Sequence, residues 1–256
     1  MTRIAVTGAL GRMGTLIIQE AARAKDVQLV AGFDVTGAGK PLLGGIPVTD
    51  ARLLGDTLKE IKPDVLIDFT IAKAAVENVC LAAALGIDLV VGTTGFSADQ
   101  QTRMRSAIEG HVAAVISPNF SMGINVFWKL VVQEAASLKD YDIEIIEAHH
   151  NQKKDAPSGT ALATVEVIKK ALGEKDVVFG REGLAPRGKE IGVHAVRGGD
   201  IVGDHIVLLA GTGERLEIKH QAHSRTAFAS GAVRAAQWVK GRSPGIYSMA
   251  DVLESK

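Results

Sequence analysis

The sequence holds a single cysteine, Cys80, so no intramolecular disulfide can form, and a reducing, cytoplasmic setting is expected. Cys80 lies in the apolar helical stretch AAVENVCLAAAL, where a thiol packs as a small inert hydrophobe more readily than it serves as a nucleophile. Net charge is also lacking, because 29 Lys plus Arg are matched by 29 Asp plus Glu. That balance argues against a general nucleic-acid or membrane-surface binder, whose footprint is a basic excess. No apolar run reaches the roughly 20 residues that span a bilayer. The opening residues, MTRIAVTGALGRMG, lack the long apolar core of a signal peptide. Internal repeats and low-complexity tracts are missing too. What remains is 256 residues, 46% of them hydrophobic, with material for one large domain or two modest ones.

The first half alternates two periodicities. RIAVTG, VQLVAGFD, DVLIDFT, IDLVVGTTG and VAAVISPNF read as strands, separated by helical stretches. KAAVENVCLAAALG ends at Gly86, a natural helix stop, and Ser97 is a candidate N-cap for SADQQTRMRSAIEG. Apolar strands alternating with helices predict right-handed βαβ units and a doubly wound parallel sheet of the Rossmann type. DVTGAGKPLLGGIPV breaks the rhythm and reads as a surface loop. Beyond residue 120 the pattern changes. A helix, SMGINVFWKLVVQEAASL, precedes the strand YDIEIIEAHH, and after the helix opened by Ser158 comes a run of consecutive strands with turns at Gly198-Gly199-Asp200 and Gly211-Thr212-Gly213. In RLEIKH, Leu216 and Ile218 alternate with charged residues, so one face is expected to be buried. The fold class is therefore α/β, with a Rossmann-type domain and a second α+β domain carrying a mostly antiparallel sheet. The expected boundaries are 1–120 plus about 228–256 for the first and 121–227 for the second.

GALGRMG places Gly8, Gly11 and Gly14 after a strand and into a helix. Small residues allow a tight turn and let backbone N–H groups approach a pyrophosphate at the positive end of the helix dipole. Asp34 closes the second strand at the distance where an acid accepts from a ribose hydroxyl. That carboxylate repels a 2′-phosphate, and Val35 and Thr36 supply no cation, so NADH is favoured; Arg12 and Lys40 keep NADPH open. GTTG (Gly92, Thr93, Thr94, Gly95) and SPNF (Ser117, Pro118, Asn119, Phe120) fall at strand ends, where ligands of doubly wound sheets bind. Either is otherwise a simple turn.

EAHHNQKKDAPSGTA, from Glu147, gathers His149, His150, Lys153 and Lys154. Neighbouring strand residues point to opposite faces, so the strand is expected to stop before the histidine pair, which then enters a loop. Lys153 can fold back toward it. Ser158, Gly159 and Thr160 open a helix and offer an anion site. The cluster suits a small substrate carrying one or two carboxylates, with a His or Lys to move the proton that accompanies hydride transfer. A metal site is the less favoured reading, since no Cys is near and no His lies one helical turn away. His220 reads as a satisfied core histidine; His194, His205 and His223 carry no spacing signal.

Together GALGRMG, IDFT, VVGTTGF, NFSMGIN, EAHHNQKKDAPSGTAL, GDIVGDH and GERLEIKHQAHSRTAFASGAVRAA resemble the 4-hydroxy-tetrahydrodipicolinate (dihydrodipicolinate) reductase family in its order and over nearly the whole chain. The resemblance implies reduction of a cyclic hydroxy dicarboxylate to tetrahydrodipicolinate in the diaminopimelate route to lysine. It implies His149 as proton donor or acceptor, Lys153 as proton donor, His150 against substrate, and Gly159 and Thr160 on a substrate carboxylate. It places NADH or NADPH on Gly8, Ala9, Leu10, Gly11, Arg12, Met13, Asp34, Gly92 to Thr94 and Ser117 to Phe120, with substrate between the domains, and implies a homotetramer joined through the second domain's sheet. Two departures stand out. Val35 replaces the Arg that many members carry after the ribose acid, and Asn151-Gln152 replace a basic pair. A non-catalytic NAD-binding sensor, or another dehydrogenase on the same scaffold, is the rival reading. A thioester-type semialdehyde dehydrogenase would need a reactive thiol, and Cys80 is poorly placed for one.

Overall fold

The structure, a computed structural model, describes residues 1–254. By internal contacts the chain divides into two compact units, residues 1–122 with 226–256 and residues 123–225. No helix among the described residues is long and apolar enough to cross a membrane.

In the first unit the chain runs β1 (Thr2–Thr7), α1 (Arg12–Arg23), β2 (Val27–Asp34), β3 (Val48–Asp50), α2 (Leu54–Ile61), β4 (Val65–Asp68), α3 (Ala72–Ala84), β5 (Asp88–Val91), α4 (Ala98–Ile108) and β6 (Ala113–Ile116). It continues through α5 (Met122–Ser137), β7 (Asp142–His149), α6 (Gly159–Leu172), β8 (Val177–Phe179), β9 (Ile191–Arg197), β10 (Gly203–Gly211) and β11 (Glu214–Ala222) in the second unit. It then returns with α7 (Thr226–Val239), β12 (Gly245–Tyr247) and α8 (Met249–Glu254).

The first sheet has seven strands in the order β12-β6-β5-β4-β1-β2-β3, and every pairing is parallel. β1 is central and almost wholly buried, which explains its unbroken apolar run. Alternate side chains feed opposite layers. Ile4 and Val6 join α1 and α7 on one face, and Ala5 joins α2, α3 and α4 on the other. Along α1 the buried residues Gly14, Ile17, Ile18 and Ala21 form the single stripe that docks it. Gly86, at φ +69°, stops α3, and Ser97 with Gln100 forms a reciprocal capping box on α4. The two strands not expected are short pieces, β3 at the end of the Gly/Pro-rich loop and β12 after α7. Strand order reverses at the adjacent pair β1/β4, which sets the ligand crevice of such sheets beyond Gly8, Asp34 and Asp68.

The second sheet, β11-β10-β7-β9-β8, is mixed. β10 is antiparallel to both β11 and β7, while β7, β9 and β8 run parallel. Gly198-Gly199-Asp200 therefore does not make a hairpin, because β7 lies between β9 and β10. The segment bridges the end of β7, with the Gly198 N–H donating to the His149 carbonyl at 2.9 Å. α5 and α6 pack on one face, where Phe127, Trp128 and Val131 meet Ile143, Ile145, Val165, Ile168, Val207 and Leu209. Trp128 Nε1 donates to Thr164 Oγ1 at 2.9 Å. β11 is the outer strand, so Leu216 is 39% exposed rather than buried, and only Ile218 reaches the core. Cys80 is half-buried against the α3 layer.

Candidate active site

The glycine turn of the first unit is built by close approach. Gly8 has φ +68°, and its carbonyl accepts the Gly11 N–H at 2.9 Å. A Cβ on Gly14 would overlap the Gly8 carbonyl, so no other residue fits there. Gly11 is the N-cap of α1 and supplies no side-chain cap, which leaves the positive end of the helix open to an anion. Arg12 is exposed and Met13 half-buried in the first turn, whereas Ala9 is buried and bonded to the Phe33 carbonyl at 3.0 Å. Asp34 lies directly over this turn. Its Oδ2 accepts the Leu10 N–H at 3.0 Å, and its Oδ1 accepts from the Thr36 N–H and hydroxyl at 3.2 and 3.3 Å. The Asp34 carboxylate thus stands at the glycine turn as an acceptor, with both of its oxygens already engaged by backbone or hydroxyl donors.

Asp68, fully buried at the end of β4, was not anticipated. It accepts from the hydroxyls of Thr7 (2.7 Å), Thr93 (2.8 Å) and Thr70 (2.9 Å), from Asn78 Nδ2 (2.8 Å) and from the Thr70 N–H (3.1 Å). The Thr93 hydroxyl is therefore spent inward and also accepts the Thr70 N–H at 2.9 Å. Gly92 is required because a side chain would strike the Phe69 ring. Ser117 Oγ closes its own turn on the Asn119 carbonyl at 2.8 Å, and Phe120 is buried against Phe69. Thr93, Thr94, Ser117 and Pro118 nevertheless line one cavity of about 380 Å³ with Phe96, Met104 and Ile116.

In the second unit the cluster is organised from beneath. β7 runs on through His149 instead of stopping before it, so the two histidines part. His149 turns inward and is buried, while His150 is half-buried with Arg225 Nη2 3.5 Å from its Nε2. Two residues before His149, on the same face, Glu147 is fully buried. Its Oε2 lies 2.6 Å from His149 Nδ1, Arg197 clamps both oxygens at 2.8 Å, and the Ser158 N–H reaches Oε1 at 2.9 Å. Burial by itself raises the Glu147 pKa, yet the bonds from Arg197, His149 and Ser158 outweigh it and hold the group below the ordinary carboxylate value. His149 is pushed below 6.5 chiefly by burial, against the pull of Glu147 and with Lys153 and Arg197 adding to the push.

Ser158 caps α6 by accepting the Ala161 N–H at 3.1 Å, and its Oγ lies 3.2 Å from His205 Nε2. Its polar atoms face inward, which leaves Gly159 exposed at the first turn with Thr160 beside it. His205 packs edge-on to His149, ring centres 5.3 Å apart, and burial pushes its pKa down to about 4. Lys153 sits nearby but does not fold onto the histidines. Its Nζ holds both Asp155 oxygens, and that pairing keeps the Asp155 pKa low. His149, His150, Lys153, Gly159 and Thr160 thus gather at one end of the second sheet. Glu147 carried a sequence signal, the i, i+2 spacing to His149; Arg197 and His205 reach the site only through strand pairing and carried none.

The family model for the dihydrodipicolinate reductase N-terminus matches residues 2–120, and the model for its C-terminus matches residues 123–253. The chain belongs to the dihydrodipicolinate reductase family. Among relatives of that family, the 4-hydroxy-tetrahydrodipicolinate reductase of Methanosarcina barkeri is 57% identical, with 99% of each chain covered. The protein of that name from Methanococcoides burtonii is 56% identical over the whole of both chains. A dipicolinate-bound dihydrodipicolinate reductase from Paenisporosarcina sp. TG-14 shares the fold, with a TM-score of 0.82, 27% identity and 97% of each chain covered.

Proposed function

We propose that this reductase-family chain uses NADH or NADPH to reduce 4-hydroxy-tetrahydrodipicolinate to tetrahydrodipicolinate in the diaminopimelate route to lysine. The observation that carries the reading is the gathering of His149, Lys153 and the open first turn of α6 at one end of the second sheet, backed by a buried carboxylate. Gly159 and Thr160 take one substrate carboxylate at the α6 N-terminus, with Lys153 and His150 adding positive charge or donors. Ser158 supports that turn from behind. The glycine turn from Gly8 to Met13 holds the cofactor diphosphate, Asp34 its ribose, and the strand-end segments 92–94 and 117–120 the nicotinamide end.

When bound, the reduced nicotinamide supplies hydride to the conjugated ring left by loss of water. His149, or Lys153 acting with it, delivers the proton to the neighbouring carbon. Asp34, followed by Val35 and not by a cation, favours NADH over NADPH. The family resemblance adds a cytoplasmic location and a homotetramer; sedimentation of the purified protein tests the oligomeric state.

A coupled absorbance assay with freshly made substrate and each reduced cofactor tests the reading. Turnover with at least one cofactor is the expected result. A protein that binds NADH but never oxidises it with the dicarboxylate is a sensor instead.

A further inference from the structure

An imidazole offers two nitrogens, and it transfers a proton productively only when one is committed elsewhere. We infer that Glu147 is a positioning residue that keeps the hydrogen on His149 Nδ1, so that Nε2 alone exchanges a proton with substrate, and that Gly203 keeps the approach to Nε2 clear. The inference rests on the proposed proton-transfer role of His149.

The argument starts from donors that cannot reverse. Glu147 is fully buried, and three of its four hydrogen bonds come from groups that only donate: both Nη atoms of Arg197 at 2.8 Å and the Ser158 N–H at 2.9 Å. A carboxylate so surrounded is ionised and can only accept. The fourth neighbour, His149 Nδ1 at 2.6 Å, must therefore carry a hydrogen. The ring is left with Nε2 as its variable nitrogen. As imidazolium it gives up the Nε2 proton: that N–H bond breaks, a C–H bond forms on the substrate carbon beside the one that takes hydride, and the ring returns neutral with Nδ1–H still on Glu147. Solvent then restores the proton. Two further bonds of Arg197, to the Val196 and Asp155 carbonyls at 2.7 and 2.6 Å, tie the clamp to β9 and to the loop bearing Lys153.

Gly203 supplies the second half. It opens β10 with a backbone outside the positive-φ region, so conformation does not demand glycine there. Space does. A Cβ at this position would sit 3.0 Å from His149 Nε2 and 3.4 Å from Cδ2. A methyl group would cover the very nitrogen that Glu147 leaves available, in a strand that otherwise accepts alanine.

The first test uses the unaltered protein. Nitrogen NMR of enzyme labelled with 15N-histidine should show neutral His149 as the Nδ1–H form; an Nε2–H form overturns the inference. In Glu147→Gln the amide oxygen keeps the Ser158 N–H and Arg197 Nη2, which leaves the NH2 facing Nδ1 and Arg197 Nη1 and drives the ring to the opposite tautomer. We expect kcat to fall by about 10²-fold, the lower range of a general acid's contribution, with NADH binding unchanged. Gly203→Ala should lose about tenfold in kcat/KM with the Nδ1–H form intact. A folded Glu147→Gln enzyme with wild-type turnover overturns the role of Glu147, and wild-type turnover in Gly203→Ala overturns that of Gly203. If Glu147→Gln does not fold, the wild-type tautomer and Gly203→Ala decide. Near-normal turnover in His149→Gln would instead remove the proton-transfer role itself, whatever tautomer is seen.

Discussion

Lys153 and Asp155 form a two-pronged ion pair, with Nζ 2.8 and 2.9 Å from the two carboxylate oxygens. The lysine proposed to meet the substrate thus has a carboxylate partner within the chain. Asp155 is 62% exposed on its side chain, and pairs of this kind contribute about 0–1 kcal/mol. Exchanging Asp155 for a substrate carboxylate therefore costs little. If Lys153 meets a substrate carboxylate as proposed, Asp155→Asn should tighten binding of a cyclic dicarboxylate substrate analogue by up to about fivefold, because the competing carboxylate is gone. Calorimetric titration checks this, and weaker binding would show that Asp155 orients the lysine instead of competing for it.

The pH profile should report His149. Its pKa lies below 6.5, chiefly through burial. If the protonated ring is the acid, kcat/KM is full at low pH and falls as pH rises through that depressed value. Two substrate carboxylates nearby favour the imidazolium, so the corresponding limb of kcat should lie at higher pH. Lys153 and Arg197 oppose the charged ring, and Glu147 supports it. His149→Gln should abolish the limb and cost about 10²- to 10⁴-fold in kcat.

His205 makes the second unit acid-sensitive. Its folded pKa of about 4 lies below the ordinary 6.5, so the unfolded chain binds the proton more readily. This contribution to stability is complete above pH 6.5 and is lost as pH falls toward about 4; the displacement corresponds to about 3 kcal/mol. Urea unfolding at both pH values, with His205→Asn as comparison, measures it. Equal pH dependence in the two proteins would assign the acid lability to the carboxylates.

Asp34 should govern cofactor choice. Asp34→Ala removes the proposed ribose acceptor, along with the group that holds the Leu10 N–H at 3.0 Å. The KM for NADH is expected to rise about tenfold, the scale of a hydrogen bond to a charged acceptor. NADPH, relieved of repulsion at its 2′-phosphate, should lose less or gain. Initial rates with both cofactors give the ratio, and an unchanged ratio would place discrimination elsewhere, with Arg12 and Lys40 the first candidates.

The parallel sheet was legible because each of its longer strands is a short apolar run closed by a glycine or a polar turn, and each long helix begins or ends on a recognisable signal such as Ser97 or Gly86. β3 and β12, three residues each, were too short to stand out from their loops. In the second unit local signals found the longer strands but not the three-residue β8, and they did not give the strands' neighbours. Gly198-Gly199-Asp200 has the composition of a hairpin, yet insertion of β7 between β9 and β10 is a long-range choice that no turn residue announces. The same limit applied to the site. His149 and Lys153 stood out by local density. Arg197, 50 residues from Glu147 in sequence, meets it only because β9 pairs with β7, and Asp68 gathers three threonines from separate segments at the ends of β1, β4 and β5.

The return of the chain after β11 has a consequence for biosynthesis. Ala229, Ala232, Val233 and Ala236 of α7, with Met249 and Val252 of α8, fill the same apolar layer as Ile4, Val6 and Ile17. On the ribosome the nucleotide-binding half emerges first, yet one side of its sheet is covered by α1 alone until the last helices have been made. The second unit, whose residues are contiguous, has all of its packing partners synthesised earlier, so the half that begins first is the half whose layers are completed last.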